Sequence, residues 1–421
     1  MQTAGSPQHA TSGLLHKQLP RGEVLDCSSL RYDAPGIQPC YYAKEQGRLL
    51  VSTSAICLIQ FLGGHRRDRQ FKPFFPNPSP GVGDRLLSNA RGACRKVCRS
   101  RFAAPTLYYA TWRTTDTRVT KLRPFETVRC DGSLQSASLD SNTYLSVGRI
   151  PEVAAQAIQQ TITDIEDRFP DHAHVVLTGG KDSQLVHLAR KKRPLRWYAF
   201  CAEPNYPVVK QWLEGNRIEL ADCIRHDNVT DESSAELTRK ILCGDLYAGP
   251  FHLRWIVALD QIARRLGGKV MFWAGTAADA IISWHDDFKG KGRAHFLRQH
   301  LTRVATFQGT YHQTVKNYTG CPILSPYHSE TFWREVVLAL DDTVLNDKTD
   351  FRYAIGELLS GRSVRWPSSN PSPSPYAYGR RVDVIGTYRQ MIEASHEEFS
   401  EVFGCNPALV RELRQQFDRR L

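Results

Sequence analysis

The pattern of apolar and polar positions changes near residue 145. Before that point the apolar runs are short and end at turn residues. Pro39-Cys40-Tyr41-Tyr42 and Gly47-Arg48-Leu49-Leu50-Val51-Ser52-Thr53-Ser54 read as two strands of a hairpin that turns near Glu45-Gln46-Gly47. An apolar stretch over 55–62, stopped by Gly63-Gly64, predicts a short helix. Residues 107–112 and 128–134 read as further strands around a turn at Asp131-Gly132. Residues 65–90, rich in Arg, Phe, Pro and Gly, predict an irregular loop, and 1–35 a loosely ordered start.

After residue 145 the periods lengthen. Val153, Ala154, Ala157, Ile158, Ile162 and Ile165 fall on one face of a helix over 151–168. A strand at Val175-Val176-Leu177 follows, then Thr178-Gly179-Gly180-Lys181-Asp182-Ser183, then a helix over 184–192. Strands are expected at 196–201, 223–225 and 269–273, with helices over 208–220 and 250–266. The second of those helices ends at Gly267-Gly268, a C-terminal signal. Strand and helix alternate throughout, which predicts an α/β fold with a parallel sheet. Residues 382–421 read as terminal helices with charged outer faces. The expected organisation is a loose 1–35, a smaller and mostly β unit over 36–145, and an α/β unit over 146–421.

The turn at 178–183 carries the candidate chemistry. Two glycines let the backbone approach a ligand, and the first N–H groups of a following helix point at an anion. The spacing is neither the Walker lysine loop nor the dinucleotide Gly-x-Gly-x-x-Gly. A second small-residue turn, Ala274-Gly275-Thr276-Ala277-Ala278-Asp279-Ala280, follows the strand at 269–273. An acid there lies at the carboxyl edge of a parallel sheet, where ligands bind and where Mg²⁺ would be faced. His285, Asp286 and Asp287 lie just beyond it, either as acid–base groups or as a polar loop.

Composition bounds the rest. The chain has 421 residues, 41% hydrophobic and 23% charged, enough for two or three globular units. No apolar run reaches spanning length and no secretory leader is read at the start, so a cytoplasmic protein without a membrane segment is expected. Eleven cysteines at irregular spacings fit neither a disulfide framework nor paired zinc sites. Cys94 and Cys98, set among Arg95, Lys96 and Arg99, are a poor place to gather metal, and reduced thiols are expected. The net charge is +12, and residues 1–105 hold 15 Lys/Arg against 6 Asp/Glu. That region is either a solvated basic surface or a site for an anionic partner such as nucleic acid or an acidic peptide.

The run Thr178-Gly179-Gly180-Lys181-Asp182-Ser183 resembles the pyrophosphate loop, Ser/Thr-Gly-Gly-x-Asp-Ser, of the asparagine synthetase superfamily. This superfamily includes β-lactam synthetases and lasso-peptide cyclases. The hairpin at 41–54 and the later Phe125…Asp131-Gly132 resemble the closing strands of that family's glutaminase domain. Gly275 and Asp279 keep their places in the family's Ser-Gly-Glu-Gly-x-Asp-Glu motif, whereas Thr276, Ala277 and Ala280 replace its glutamate, second glycine and last acid. Cys321 to Tyr327 is similar to the family's Pro-Phe-Leu-Asp segment, with His328 where an acid stands. Lys348 with Phe351-Arg352-Tyr353 resembles its Lys-x-x-Leu-Arg helix. The family's further lysine is missing from the matching region, where Arg362 and Arg365 stand. The Pro/Ser-rich 367–375 that follows is expected to form a loop or lid.

The resemblance, which spans roughly residues 40–365, implies an adenine-nucleotide α-hydrolase-like domain preceded by a degenerate glutaminase-like one. It implies ATP and Mg²⁺ as cofactors. Thr178, Gly179, Gly180, Lys181, Asp182, Ser183, Phe200 and Gly275 would bind the nucleotide, Phe200 through the backbone of the adenine strand. Asp182 and Asp279 would serve the metal, and Lys181 and Lys348 would neutralise phosphate charge. The implied reaction adenylates a carboxylate, releases pyrophosphate and passes the acyl group to an amine. Gln2 stands where active glutaminases carry a cysteine, so no glutaminase activity of its own is expected. Two other readings stay open. One is a pyrophosphate-loop enzyme that modifies tRNA or a nucleic-acid base. The other is a non-catalytic binding protein on the same scaffold.

Overall fold

The computed structural model describes residues 25–27, 29–31, 40–63, 66, 114, 116–123, 126–131, 133–136, 150–203, 205–226, 256–275, 309–337 and 349–367. The expected strand over 107–112, the helices over 382–421 and the Pro/Ser stretch beyond residue 367 lie outside the described residues, as do Cys94 and Cys98.

Apolar alternation in the first part builds two small antiparallel sheets. One has the order β1 (Leu25–Cys27), β4 (Arg48–Ser52), β3 (Tyr41–Glu45), β5 (Val119–Lys121), and the other β2 (Ser29–Arg31), β6 (Glu126–Arg129), β7 (Leu134–Ser136). The hairpin at 41–52 is as expected. Glu45 pairs with Arg48 across a two-residue turn, and Gln46 and Gly47 both take positive φ, 51° and 75°. Helix α1 (Ala55–Phe61) follows, with the Ser54 hydroxyl accepting from the Cys57 N–H at 3.4 Å. Tyr42, Leu49 and Val51 meet Leu122 and Val128 in a small core between the two sheets.

The second part is a parallel sheet with helices on both faces. Its strands are β8 (Ala173–Leu177), β9 (Trp197–Ala202), β10 (Asp222–His226), β11 (Val270–Ala274) and β12 (Ile323–Leu324), in the order β10-β9-β8-β11-β12. All neighbours pair parallel. Side chains alternate between two cores, as the period of two requires. Val176, Ala199, Cys201 and Trp273 face α2 (Ile150–Arg168), α3 (Lys181–Leu188), α4 (Tyr206–Gly215), α7 (Glu330–Glu335) and α8 (Thr349–Ser360). Val175, Phe200, Val270 and Phe272 face α5 (Ile256–Arg265) and α6 (Gly309–Thr319). The first part joins this second core through Tyr41, Ala43, Leu50, Leu58, Ile59 and Val119. Gln313 on α6 secures the junction, accepting from the Tyr41 hydroxyl at 3.3 Å and donating to the Thr53 carbonyl at 2.6 Å.

The ends of α3 and α4 depart furthest from expectation: α4 stops at Gly215 rather than at 220, and Arg217 just beyond takes a φ of 49°. Helix α3 begins at Lys181, so Lys181, Asp182 and Ser183 form its first turn and do not belong to the loop before it. It stops at Leu188, four residues early. Ala189 is extended, and Lys191 turns back to donate to the carbonyls of Val186 and Ala189, capping the helix end while its ammonium lies over the Trp197 ring at 4.3 Å. Helix α5 ends as expected: Gly267 and Gly268 take φ of 80° and 75°, and the Gly268 N–H returns to the Ala263 carbonyl at 2.7 Å.

Candidate functional site

The strand order places a topological switch between β8 and β11. The chain leaves β8 toward β9 and β10, then crosses back to build β11 and β12 on the other side. Crevices at the carboxyl ends of two such strands are where open α/β sheets bind ligands. The turn at 178–180 sits at the end of β8, and Gly275 follows β11 beside it.

The turn is tightly organised. The Thr178 N–H donates to the Phe200 carbonyl at 2.8 Å, which ties the loop to β9. The Thr178 hydroxyl donates to the Val176 carbonyl at 3.0 Å, so it accepts from His187 Nε2 at 2.7 Å, and His187 carries its proton on Nε2. Burial pushes His187 down to about 3, so the ring is neutral at ordinary pH. The Ser183 hydroxyl accepts the N–H groups of Gly179 and Gly180 at 3.1 and 3.3 Å and donates to the Gly180 carbonyl at 2.7 Å.

Three contacts fasten the first turn of α3 to distant elements. Asp182 faces Arg352 of α8, with Oδ1 2.5 Å from Nε and Oδ2 accepting from Nη2 at 2.6 Å. Lys181 Nζ donates to the Tyr353 hydroxyl at 2.9 Å. The Tyr327 hydroxyl donates to the Asp182 carbonyl at 2.6 Å, and burial raises its pKa well above the usual tyrosine value, so it remains a donor.

Gly275 explains how closely β11 meets this turn. A Cβ there would stand 2.4 Å from the Ser183 nitrogen and 2.7 Å from the Asp182 carbonyl carbon. Only glycine admits that approach. A Cβ on Gly179 would meet nothing within 4 Å, so the turn opens onto space on that side.

Thr178, Gly179, Gly180, Lys181, Asp182, Ser183, Phe200 and Gly275 are therefore brought together. Asp279 and Lys348 lie outside the described residues, as do Thr276, Ala277, Ala280, His285, Asp286 and Asp287. The sequence reading missed His187, Tyr327 and the pairing of Arg352 and Tyr353 with the loop. Arg352 and Tyr353 carried a signal in their likeness to the Lys-x-x-Leu-Arg helix, but nothing in the sequence paired them with Asp182 and Lys181.

The turn presents backbone at a helix start on an open side, and the Asp182 carboxylate beside it faces Arg352. Among the described residues no three His, Cys, Asp or Glu side chains gather as a metal cage. Among the described residues no helix is long and apolar enough to cross a membrane. No protein-family model and no curated protein matches the chain.

Proposed function

We propose that the chain is an ATP-dependent amide-forming synthetase of the asparagine synthetase superfamily, with an adenine-nucleotide α-hydrolase-like domain and a glutaminase-like β unit before it. The observation that carries this reading is the Thr178–Ser183 turn. It joins β8 to α3 at the carboxyl edge of the sheet, at the strand-order switch, with Gly275 of the neighbouring strand against it. The loop sequence supplies the class of ligand and the switch point supplies a crevice for it.

In this reading the backbone of Gly179 and Gly180 and the Ser183 hydroxyl receive pyrophosphate oxygens, exchanging the hydrogen bonds they now make with each other. The backbone of Phe200 lies along the adenine. Asp182 and Asp279 would hold Mg²⁺, which would screen phosphate charge, and Lys181 and Lys348 would add positive charge as pyrophosphate leaves. A substrate carboxylate attacks the α-phosphate, the bond to pyrophosphate breaks, and an amine then displaces AMP to leave an amide. The carboxylate comes from a small molecule or a peptide, and the basic residues 1–105 suit an anionic partner.

ATP–pyrophosphate exchange tests the proposal. Exchange that depends on a small acid or a peptide is expected. Exchange only with RNA would move the protein to the base-modifying class. No ATP binding, together with no change on Asp182→Ala, would leave a non-catalytic scaffold.

A further inference from the structure

Lys181 opens α3, so its charge sits at the helix end that disfavours a cation. Its partners there are neutral. The ammonium donates to the Tyr353 hydroxyl at 2.9 Å and lies 4.9 Å from the centre of the same ring. Among the described residues no carboxylate forms an ion pair with it. One of its three N–H donors is spent on the phenol, and its charge is not cancelled.

Tyr353 is itself set from behind. The Trp366 ring stacks on it, with centroids 5.2 Å apart and 22° between the planes. Gly356 on the same helix lets that indole in, since a Cβ there would lie 2.5 Å from it. Asn216, just past α4, exchanges two hydrogen bonds with the backbone of Arg365, both 3.0 Å, and so fixes the segment that bears Trp366. Trp366 rests in turn against Trp212 of α4 at 6.4 Å, and Trp212 meets the edge of His187 at 6.3 Å. His187 bonds Thr178, where the turn begins. One row of rings therefore touches the turn at both ends, Thr178 and Lys181.

An acid in place of Tyr353 would hold Lys181 and neutralise it. A phenol holds it and leaves the charge for a ligand. The turn is open beside it, where a Cβ on Gly179 would meet nothing within 4 Å. A held cation next to a helix start suits the phosphate end of a ligand.

We infer that Tyr353, backed by Trp366, is a positioning residue for Lys181: it holds the ammonium at the start of α3 so that the remaining N–H groups meet phosphate oxygens. This rests on reading the turn as a nucleotide site and adds the residue that sets the cation in it.

A double-mutant cycle on the full chain tests this without turnover, read as affinity for α,β-methylene-ATP with Mg²⁺ by titration calorimetry. Lys181→Met should lose about tenfold, the size of one charge-assisted hydrogen bond, and Tyr353→Phe about fivefold, the size of a neutral one. Both substitutions keep the shape of the side chain, and the Phe ring stays on Trp366, so folded protein is expected. In the Lys181→Met background Tyr353→Phe should cost nothing, because no ammonium is left to place. If Tyr353→Phe loses nothing with the lysine present, or loses as much without the lysine as with it, the positioning role is wrong and the nucleotide site stands. If wild type does not bind the analogue, the nucleotide reading itself falls and the positioning role with it.

Discussion

At the amino edge of the parallel sheet, Glu166 is 1% exposed and accepts from Trp197 Nε1 at 2.9 Å and from the N–H groups of Lys192 and Arg193 at 3.0 and 3.2 Å. At the carboxyl edge, the Asp182 side chain is 14% exposed and faces the Arg352 guanidinium. The donors of Glu166 lie 26 to 31 residues away and are backbone or indole, fixed in place by the fold. Arg352 reaches Asp182 from 170 residues away, at the tip of a long side chain. One acid is satisfied by donors close in sequence, the other by a long side chain brought in by tertiary packing. Satisfying a carboxylate with nearby donors builds a local fold, whereas satisfying it from a distant helix ties two elements together.

The sharpest test of the two edges is acid. His174 stacks on Trp197 at 4.5 Å and accepts from Trp273 Nε1 at 3.1 Å, and burial pushes it to about 3 from the ordinary 6.5. His187 beside the loop is shifted equally. The unfolded chain takes up these protons below 6.5 and the folded chain resists them until about 3. Stability is therefore full above 6.5 and falls as pH drops through that window. The slope approaches about 1.4 kcal/mol per pH unit for each histidine. Urea unfolding at a series of pH values should give a shallower decline for His187→Gln than for wild type. Identical slopes would remove His187 from the account.

Glu166→Ala should cost about 3 kcal/mol, because the buried Trp197 indole N–H and two part-buried backbone N–H groups lose their acceptor. Nucleotide affinity of the protein that remains folded should not change. A loss of affinity would mean that the two edges are coupled. Gly275→Ala should cost less stability, about 2 kcal/mol, since β11 or α3 must shift to admit a Cβ. It should abolish detectable nucleotide binding, and wild-type affinity in that variant would show that the contact of β11 with α3 does not shape the loop.

The sequence made some of this legible. Ala154, Ile158 and Ile162 repeat at four-residue steps on α2, and a strand-to-helix alternation follows, so the parallel sheet could be read without coordinates. Glu166 stands on that same stripe, and a carboxylate in an apolar register is a visible sign of a buried acceptor. Arg352 was visible only as part of a helix. Its partner is fixed by how α8 packs on α3, a tertiary fact that no local period encodes. Gly275 was readable as a turn glycine near a ligand, but the Cβ it excludes would strike the backbone of Ser183, on the neighbouring strand's helix. The start of α3 was misread because Gly-Gly suggests a loop that continues, whereas the Ser183 hydroxyl closes the first turn onto Gly179 and Gly180.

The junction at Gln313 has a consequence for how the chain holds together. Tyr41, Leu50, Leu58 and Val119 share one apolar cluster with Val175, Phe272 and Val315, so the covalent link between residues 136 and 150 is not what unites the two parts. A chain cut within that link would yield two fragments, each exposing its half of the cluster, and burying that surface again would draw them together. The β unit then behaves as a missing piece of the parallel sheet's own core, and the molecule as a natural candidate for fragment complementation.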